Sequence, residues 1–182
     1  MTNKIGLFTA LISFLIGTIL LIIFYLTNST SITIYGMIFI AVAGIINLGV
    51  FVKVLINLIN EKENRKKYIL TSGIMLLNIP IVILYFYIVM FLMSTMRITF
   101  INETGTKLTN LKIIGGETKI IKELGVGERQ TEWIGIKFEN DFILEYKIDG
   151  EIKREMVYSY AVTGDRINHR IGNKSDRIEK VY

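Results

Sequence analysis

The sequence predicts a bundle of three transmembrane helices in a hairpin series, followed by an all-β sandwich domain. Three apolar runs, at 5–26, 34–59 and 68–93, fill the first half of the 182-residue chain. After them, apolar and polar residues alternate along segments that are separated by turn signals about every ten residues, a pattern typical of β-strands. We therefore divide the chain into an anchor, 1–96, and a soluble domain, 97–182.

The length of each apolar run predicts a membrane-spanning helix. A helix rises about 1.5 Å per residue and the hydrocarbon core is about 30 Å thick, so about 20 apolar residues span it. Only helices and closed barrels satisfy every backbone polar group in lipid, and unbroken apolar runs favour helices. The bilayer is therefore the first predicted partner.

The charges in the two short connections predict the orientation. The segment 27–33 carries no charge, whereas 60–67 (NEKENRKK) carries four basic residues. Basic residues in short loops stay on the cytoplasmic side. We therefore expect the N-terminus in the cytoplasm and the domain 97–182 outside it.

Small and polar residues on the three runs predict where the helices pack. In lipid, helices associate through close backbone approach and interhelical hydrogen bonds. Four candidates on the first run recur at spacings of four, three and four: Gly6, Ala10, Ser13 and Gly17. The second run adds Gly44 and Asn47, and the third run adds Asn78. Their surface serves either packing within the chain or oligomerisation. We expect Asn47 and Asn78, at similar depths, to face the interior and bond each other.

The soluble domain contains one especially clear hairpin. Four apolar side chains alternate in the segment 142–148, Asp149-Gly150 suits a type I′ turn, and 151–160 forms the return strand. Further strands are predicted at 97–102, 108–114, 118–124, 131–138, 166–171 and 177–181. Seven or eight short strands without a helical period indicate a β-sandwich.

Two turns in this domain carry a resemblance to a known class. The segments 100–105 (FINETG) and 124–128 (LGVGE) resemble turns of small bacterial immunoglobulin-like or fibronectin-like sandwiches, with Val126 where proline is typical. The strand around Tyr158 and Tyr160, followed by Thr163-Gly164, is similar too. The resemblance implies that fold and a display or partner-binding role, and it brings no catalytic residues.

The residue types give no support for catalysis, cofactor binding or nucleic-acid binding. The chain has no cysteine, and its single histidine, His169, has no acidic neighbour at a useful strand spacing, so we interpret it as an exposed strand or loop residue. No metal-binding spacing is present, and we predict no metal and no cofactor. The segment 97–182 carries fifteen basic and fourteen acidic residues, so it lacks the positive charge that nucleic-acid binding requires.

Trp133 is the candidate partner-binding residue of the domain. Ile134, Ile136 and Phe138 alternate on one face of the strand 131–138 and leave Trp133 on the other. An exposed tryptophan there anchors a binding surface or touches the membrane interface, unless the opposite face is also partly covered.

These observations favour a non-enzymatic envelope protein that displays the sandwich outside the membrane to bind a protein or an envelope component. The alternative is an accessory or regulatory subunit of a larger membrane complex, recognised through its helices, with homo-oligomerisation as one form of partnership. Abundant isoleucine, lysine and asparagine with a single proline suggest a bacterial source.

Overall fold

The computed structural model describes residues 2–136, 140–172 and 179–180. The chain divides into two compact units, Met1–Val89 and Met90–Tyr182, and each is described by itself. The sequence places the boundary between 96 and 97, whereas the last residues of the third helix belong to the second unit. The predicted order, three apolar helices followed by a β region in two sheets, is confirmed.

The three helices extend beyond the apolar runs that predict them. They are α1 (Thr2–Thr27), α2 (Thr30–Asn60) and α3 (Arg65–Ser94), and each is long and apolar enough to cross a membrane. Only Asn28 and Ser29 separate α1 from α2. Asn28 takes a positive φ of 49° and donates its backbone N–H to the carbonyl of Phe24 at 2.7 Å, which caps α1.

The connection between α2 and α3 is the charged segment. A 3₁₀ turn (Lys62–Asn64) follows Glu61 and leads directly into α3. The Glu61 backbone N–H donates to the Asn57 carbonyl at 2.8 Å, and the Tyr68 hydroxyl donates to the Glu61 carboxylate at 2.8 Å. Of the four basic residues of this segment, Lys62 lies on the 3₁₀ turn, and Arg65, Lys66 and Lys67 lie in the first turn of α3.

The strands agree closely with the alternation that predicts them. They are β1 (Thr95–Asn102), β2 (Leu108–Ile114), β3 (Lys119–Leu124), β4 (Arg129–Gly135), β5 (Asn140–Ile148), β6 (Glu151–Ala161), β7 (Arg166–Ile171) and β8 (Glu179–Lys180). Residues 137 and 138 of the predicted strand 131–138, and residues 177, 178 and 181 of the predicted strand 177–181, lie outside the described residues.

Two four-stranded sheets form the second unit within its described residues. Sheet A has the order β4-β1-β7-β8 and sheet B the order β3-β2-β5-β6. β1 lies between an antiparallel β4 and a parallel β7. Both sheets contribute to one buried core, with Met96, Ile98 and Phe100 from sheet A against Leu111, Phe142 and Leu144 from sheet B. The domain is therefore a β-sandwich.

The turn between β5 and β6 has the predicted form. Asp149 and Gly150 both have positive φ, at 51° and 86°, as a type I′ turn requires. The strand order bears on the family resemblance, since a constant-type immunoglobulin domain places its first, second, fifth and fourth strands in one sheet. Here β1 lies in the sheet opposite β2 and β5, which differs from the constant-type arrangement. Membership in the immunoglobulin-like or fibronectin-like class stays a prediction.

The two turns that carry the resemblance pack against each other through Asn102. Its side chain is fully buried and donates to the carbonyl oxygens of Thr106 at 2.8 Å and Leu124 at 3.0 Å. Its Oδ1 accepts from the backbone N–H of Thr104 at 3.0 Å and from the Thr104 hydroxyl at 2.7 Å. The Asn102 carbonyl also accepts the N–H of Gly127 at 2.8 Å, so one asparagine holds both turns together.

Candidate functional site

The small-residue face of α1 packs against both other helices of the first unit. Gly6 is the tightest point, because an added Cβ would lie 2.7 Å from Thr71 Cγ2 and 3.1 Å from Val54 Cγ2. Ala10 is buried near it, and Val54, Tyr68 and Met75 complete the cluster. A glycine at position 6 therefore allows α1 to approach α2 and α3 at once.

Asn47 of α2 and Asn78 of α3 both bond to α1. Asn47 Nδ2 donates to Ser13 Oγ at 2.7 Å and to the Ala43 carbonyl at 2.8 Å. Asn78 Nδ2 donates to the Ala10 carbonyl at 3.1 Å. The expected Asn47–Asn78 hydrogen bond is wrong, because the small side chains of α1 bring its own polar groups within reach of both amides. Both asparagines face other helices, as expected.

Two further polar contacts join α1 to α3. The Thr18 and Tyr85 hydroxyls lie 2.6 Å apart, and the Thr71 hydroxyl donates to Asn3 Oδ1. These four residues are not among the packing candidates that the sequence predicts. A tyrosine inside an apolar run is nonetheless a signal, since a buried hydroxyl in lipid requires a partner. The polar contacts between the helices are therefore made by amide and hydroxyl groups.

Gly17 and Gly44 have different environments. A Cβ added at Gly17 would lie 3.7 Å from the Tyr85 ring and 3.8 Å from the Phe39 ring, so Gly17 lies in the packed face. A Cβ added at Gly44 would meet nothing within 4 Å, and Gly44 is exposed. Gly44 is therefore the one sequence candidate that faces outward among the described residues of this unit.

Trp133 lies on the outer face of sheet A, as the alternation predicts. Its neighbours Ile134 and Met96 are buried in the core, and Trp133 itself is half-buried. The Phe91 ring centroid lies 5.5 Å from that of Trp133, and the Arg97 guanidinium lies 5.5 Å from the Trp133 ring centroid. The tryptophan is thus partly covered by an aromatic ring and a cation.

A polar cluster, formed by Tyr146, Glu155 and His169, lies between the two sheets, and no sequence pattern indicates it. Glu155 of β6 lies 2.7 Å from Nε2 of His169 on β7, so it joins sheet B to sheet A. Burial raises the pKa of Tyr146, and the charge of Glu155 and a hydrogen bond to it raise that pKa further. The ring of Phe100 packs edge-on to His169 at 6.1 Å.

The cluster corrects the interpretation of His169 as an exposed residue. Its side chain is only 15% exposed, and its partner comes from a strand of the opposite sheet. Local sequence spacing cannot reveal this contact, because it depends on how the two sheets are stacked. Three polar side chains at one edge of the sandwich therefore hold the sheets together.

The outer face of sheet B exposes apolar side chains on its edge strand β6. Ile152, Met156 and Tyr160 are 59%, 60% and 77% exposed. A shallow cleft of about 210 Å³ lies on this face, and its walls include Asn110, Lys112, Ile120, Glu145, Lys147 and Ile152. Arg154 forms an ion pair with Glu145 at 2.6 Å beside the cleft. This surface combines apolar contacts with cationic groups.

The described part of the chain contains no group of three His, Asp or Glu side chains placed to hold a metal ion. No protein-family model and no curated protein match the sequence. A solved structure, described as the NMR structure of the protein from Eubacterium rectale, is similar over 48% of this chain and 86% of its own length. The identity is 15% and the TM-score 0.36, so the match does not bear on function.

Proposed function

We propose that this protein is a non-enzymatic integral membrane protein that displays its sandwich on the extracytoplasmic side to bind a protein or an envelope component. The observation that supports this function is the row of exposed apolar side chains on β6, formed by Ile152, Met156 and Tyr160. Large apolar groups gathered on a polar domain surface are typical of interaction sites. The nearby Lys112 and Lys147 give the surface a positive rim suited to an acidic partner.

Site-specific photocrosslinking in native membranes tests the binding surface. A benzophenone side chain replaces Met156 in one variant and Thr131, on the outer face of sheet A, in the matched control. We expect a discrete crosslinked product at Met156 only, and we expect Ile152→Ser to abolish it. Identical crosslinks at both positions, or none at Met156, would contradict a binding role for this face.

The proposed orientation is supported by the charged connection between α2 and α3. Lys62 lies in it, and Arg65, Lys66 and Lys67 begin α3 directly after it, whereas the connection between α1 and α2 is uncharged. Basic residues in short loops favour the cytoplasmic side. If the start of α3 is cytoplasmic, the sandwich that follows its other end is extracytoplasmic. Protease added to intact spheroplasts should digest the sandwich, and complete protection would overturn this orientation.

Gly44 supports the alternative function, an accessory subunit that a membrane complex recognises through its helices. The small face of α1 is occupied within the chain, whereas Gly44 on α2 is open. A partner helix can approach closely at such a glycine. Gly44→Leu should then dissociate the complex in mild detergent, and Met156→Ser should leave it intact. The reverse result favours the sandwich-binding function.

A further inference from the structure

Basic side chains from two helices and a connection gather at one end of the helical unit. The start of α1 contacts α3, because the Thr71 hydroxyl donates to Asn3 Oδ1. Gly6 packs against both Thr71 and Val54, and Val54 lies in the last two turns of α2. All three helices therefore have an end here. We call this region the basic end and define it by its five basic side chains, Lys4, Lys62, Arg65, Lys66 and Lys67.

The positive charge of the basic end exceeds its negative charge. All five basic side chains are exposed, and none of them forms an ion pair with another described residue. Of the two acidic residues beside them, Glu61 accepts the Tyr68 hydroxyl at 2.8 Å and Glu63 is exposed. Lys67 Nζ donates to the uncharged Asn64 Oδ1 at 3.3 Å. Five basic and two acidic residues give this end a net charge of +3.

The basic end lies at the boundary between polar and apolar sequence. Lys4 directly precedes the apolar run 5–26, and Lys67 directly precedes the run 68–93. Both runs belong to helices that are long and apolar enough to cross a membrane. In a helix that crosses a bilayer, the residues that flank the apolar run lie among the lipid headgroups. The side chains of the basic end therefore meet headgroups when these helices are inserted.

Lys53 is a second and independent indication of an anionic partner. It lies inside the apolar run 34–59, and its side chain is exposed, as are Gly49 and Ile56 about one turn to either side. A cation that faces hydrocarbon is costly unless it reaches polar groups at the membrane surface. Lys53 lies about 10 Å along the axis from Asn60, where α2 ends. The headgroup layer at the basic end is therefore its nearest source of anions.

We propose that the basic end, together with Lys53, is a binding surface for anionic phospholipids. Lysine and arginine donate charge-assisted hydrogen bonds to phosphate oxygens, and a group of basic residues directly beside spanning helices attracts lipids of net negative charge. Zwitterionic lipids bind less well, because their own cation opposes the basic side chains. The proposal rests on the membrane insertion in the proposed function, and it is independent of the orientation and of the partner of the sandwich.

Electron paramagnetic resonance of spin-labelled lipids tests the preference for anionic headgroups. The full chain is reconstituted in phosphatidylcholine vesicles with a trace of spin-labelled phosphatidylglycerol or spin-labelled phosphatidylcholine, and the spectra separate lipid held at the protein from free lipid. We expect phosphatidylglycerol to associate at least about threefold more strongly at low salt. The preference should fall toward equality in about 1 M salt, where the Debye length is about 3 Å.

Two outcomes of this measurement contradict the proposal in different ways. Equal association of the two lipids at low salt would overturn the preference for anionic headgroups and leave membrane insertion intact. The absence of held lipid of either kind would overturn the proposal and contradict membrane insertion as well.

Charge-matched variants locate the binding surface. The test variant neutralises four positions of the basic end: Lys62→Gln, Arg65→Gln, Lys66→Gln and Lys67→Gln. The control variant neutralises four lysines of the sandwich: Lys112→Gln, Lys122→Gln, Lys147→Gln and Lys153→Gln. We expect the test variant to lose the preference for phosphatidylglycerol and the control to keep it. Equal losses in the two variants, or no loss in the test variant, would refute the assignment.

A double variant keeps the charges of the connection between α2 and α3. Lys4→Gln combined with Lys53→Gln changes only α1 and α2, so the basic residues that favour a cytoplasmic connection remain. We expect the preference for phosphatidylglycerol to fall about twofold, because two of the six cations are lost. An unchanged preference would contradict a surface shared by the three helices.

Inorganic phosphate distinguishes a lipid surface from a site for a free ion. Vesicles in sodium phosphate and in sodium chloride of matched ionic strength should show the same preference for phosphatidylglycerol, since the bound groups belong to lipids that the helices already contact. If phosphate abolishes the preference and chloride does not, the basic end binds the free ion and the lipid assignment is wrong.

Discussion

Substitution of Asn102 tests how the sandwich is held at the end where its two signature turns meet. The side chain makes four hydrogen bonds, two donated and two accepted, and is completely buried. Asn102→Ala removes all four and leaves the carbonyls of Thr106 and Leu124 without these donors. A net contribution of about 1 kcal/mol per bond predicts a loss of about 3–4 kcal/mol, allowing for Thr104 regaining partners in water.

The size of this loss is large relative to the stability of a small domain, which is about 5–15 kcal/mol. Urea unfolding of the full chain in detergent micelles, followed by Trp133 fluorescence, reports on the sandwich. Asn102→Asp keeps the shape and both acceptor interactions but places a carboxylate against two carbonyl oxygens, so it should be at least as damaging.

A control variant sets the scale for that experiment. Thr131→Ala removes one exposed hydroxyl contact, to Thr99 at 2.9 Å, and should change stability by no more than about 0.5 kcal/mol. If Asn102→Ala shifts the unfolding midpoint no more than Thr131→Ala, the turn-to-turn contact does not stabilise the sandwich. A near-native Asn102→Asp would show that cavity formation, and not the donated bonds, causes the loss.

Three further predictions concern other parts of the chain. Gly6→Ala should lower the free energy of unfolding of the helical unit by about 1–2 kcal/mol, because the cost of overpacking exceeds the gain in helix propensity. SDS titration followed by circular dichroism measures this change, and Gly44→Ala, the control, should not lower the free energy. Asn47→Leu should cost about 1 kcal/mol in the same assay by removing the bond to Ser13, and a loss near zero would exclude that bond. Because the pKa of Tyr146 is raised by burial and Glu155, its contribution to sandwich stability is complete below pH ~10 and falls above it. Tyr146→Phe should flatten this part of the stability profile, and an unchanged alkaline slope would contradict the assignment.

The sequence predicts the elements of this fold well and their partners poorly. Alternation defines β2 and β7 to the residue, and Asp149-Gly150 defines the hairpin, because both signals are local. The parallel pairing of β1 with β7 depends on residues far apart in the chain, and no local pattern encodes it.

The candidate sites follow the same division. Small residues on α1 indicate a packed face, but their spacing does not say that Asn47 and Asn78 would each bond to α1. The alternation places Trp133 on the outer face, whereas its contacts with Phe91 and Arg97 depend on the chain path. The Glu155–His169 pair joins opposite sheets, so spacing along one strand cannot predict it.

The central position of β1 also determines when the sandwich can form during synthesis. β1 follows α3 without a linker, so it is the first strand of the sandwich to be synthesised, yet one of its two neighbours, β7, is made much later. Pairing of such distant segments requires closure of a long loop and slows folding. β1 therefore keeps an unpaired edge until β7 has been made, and during this interval a chaperone or a wrong strand has access to it.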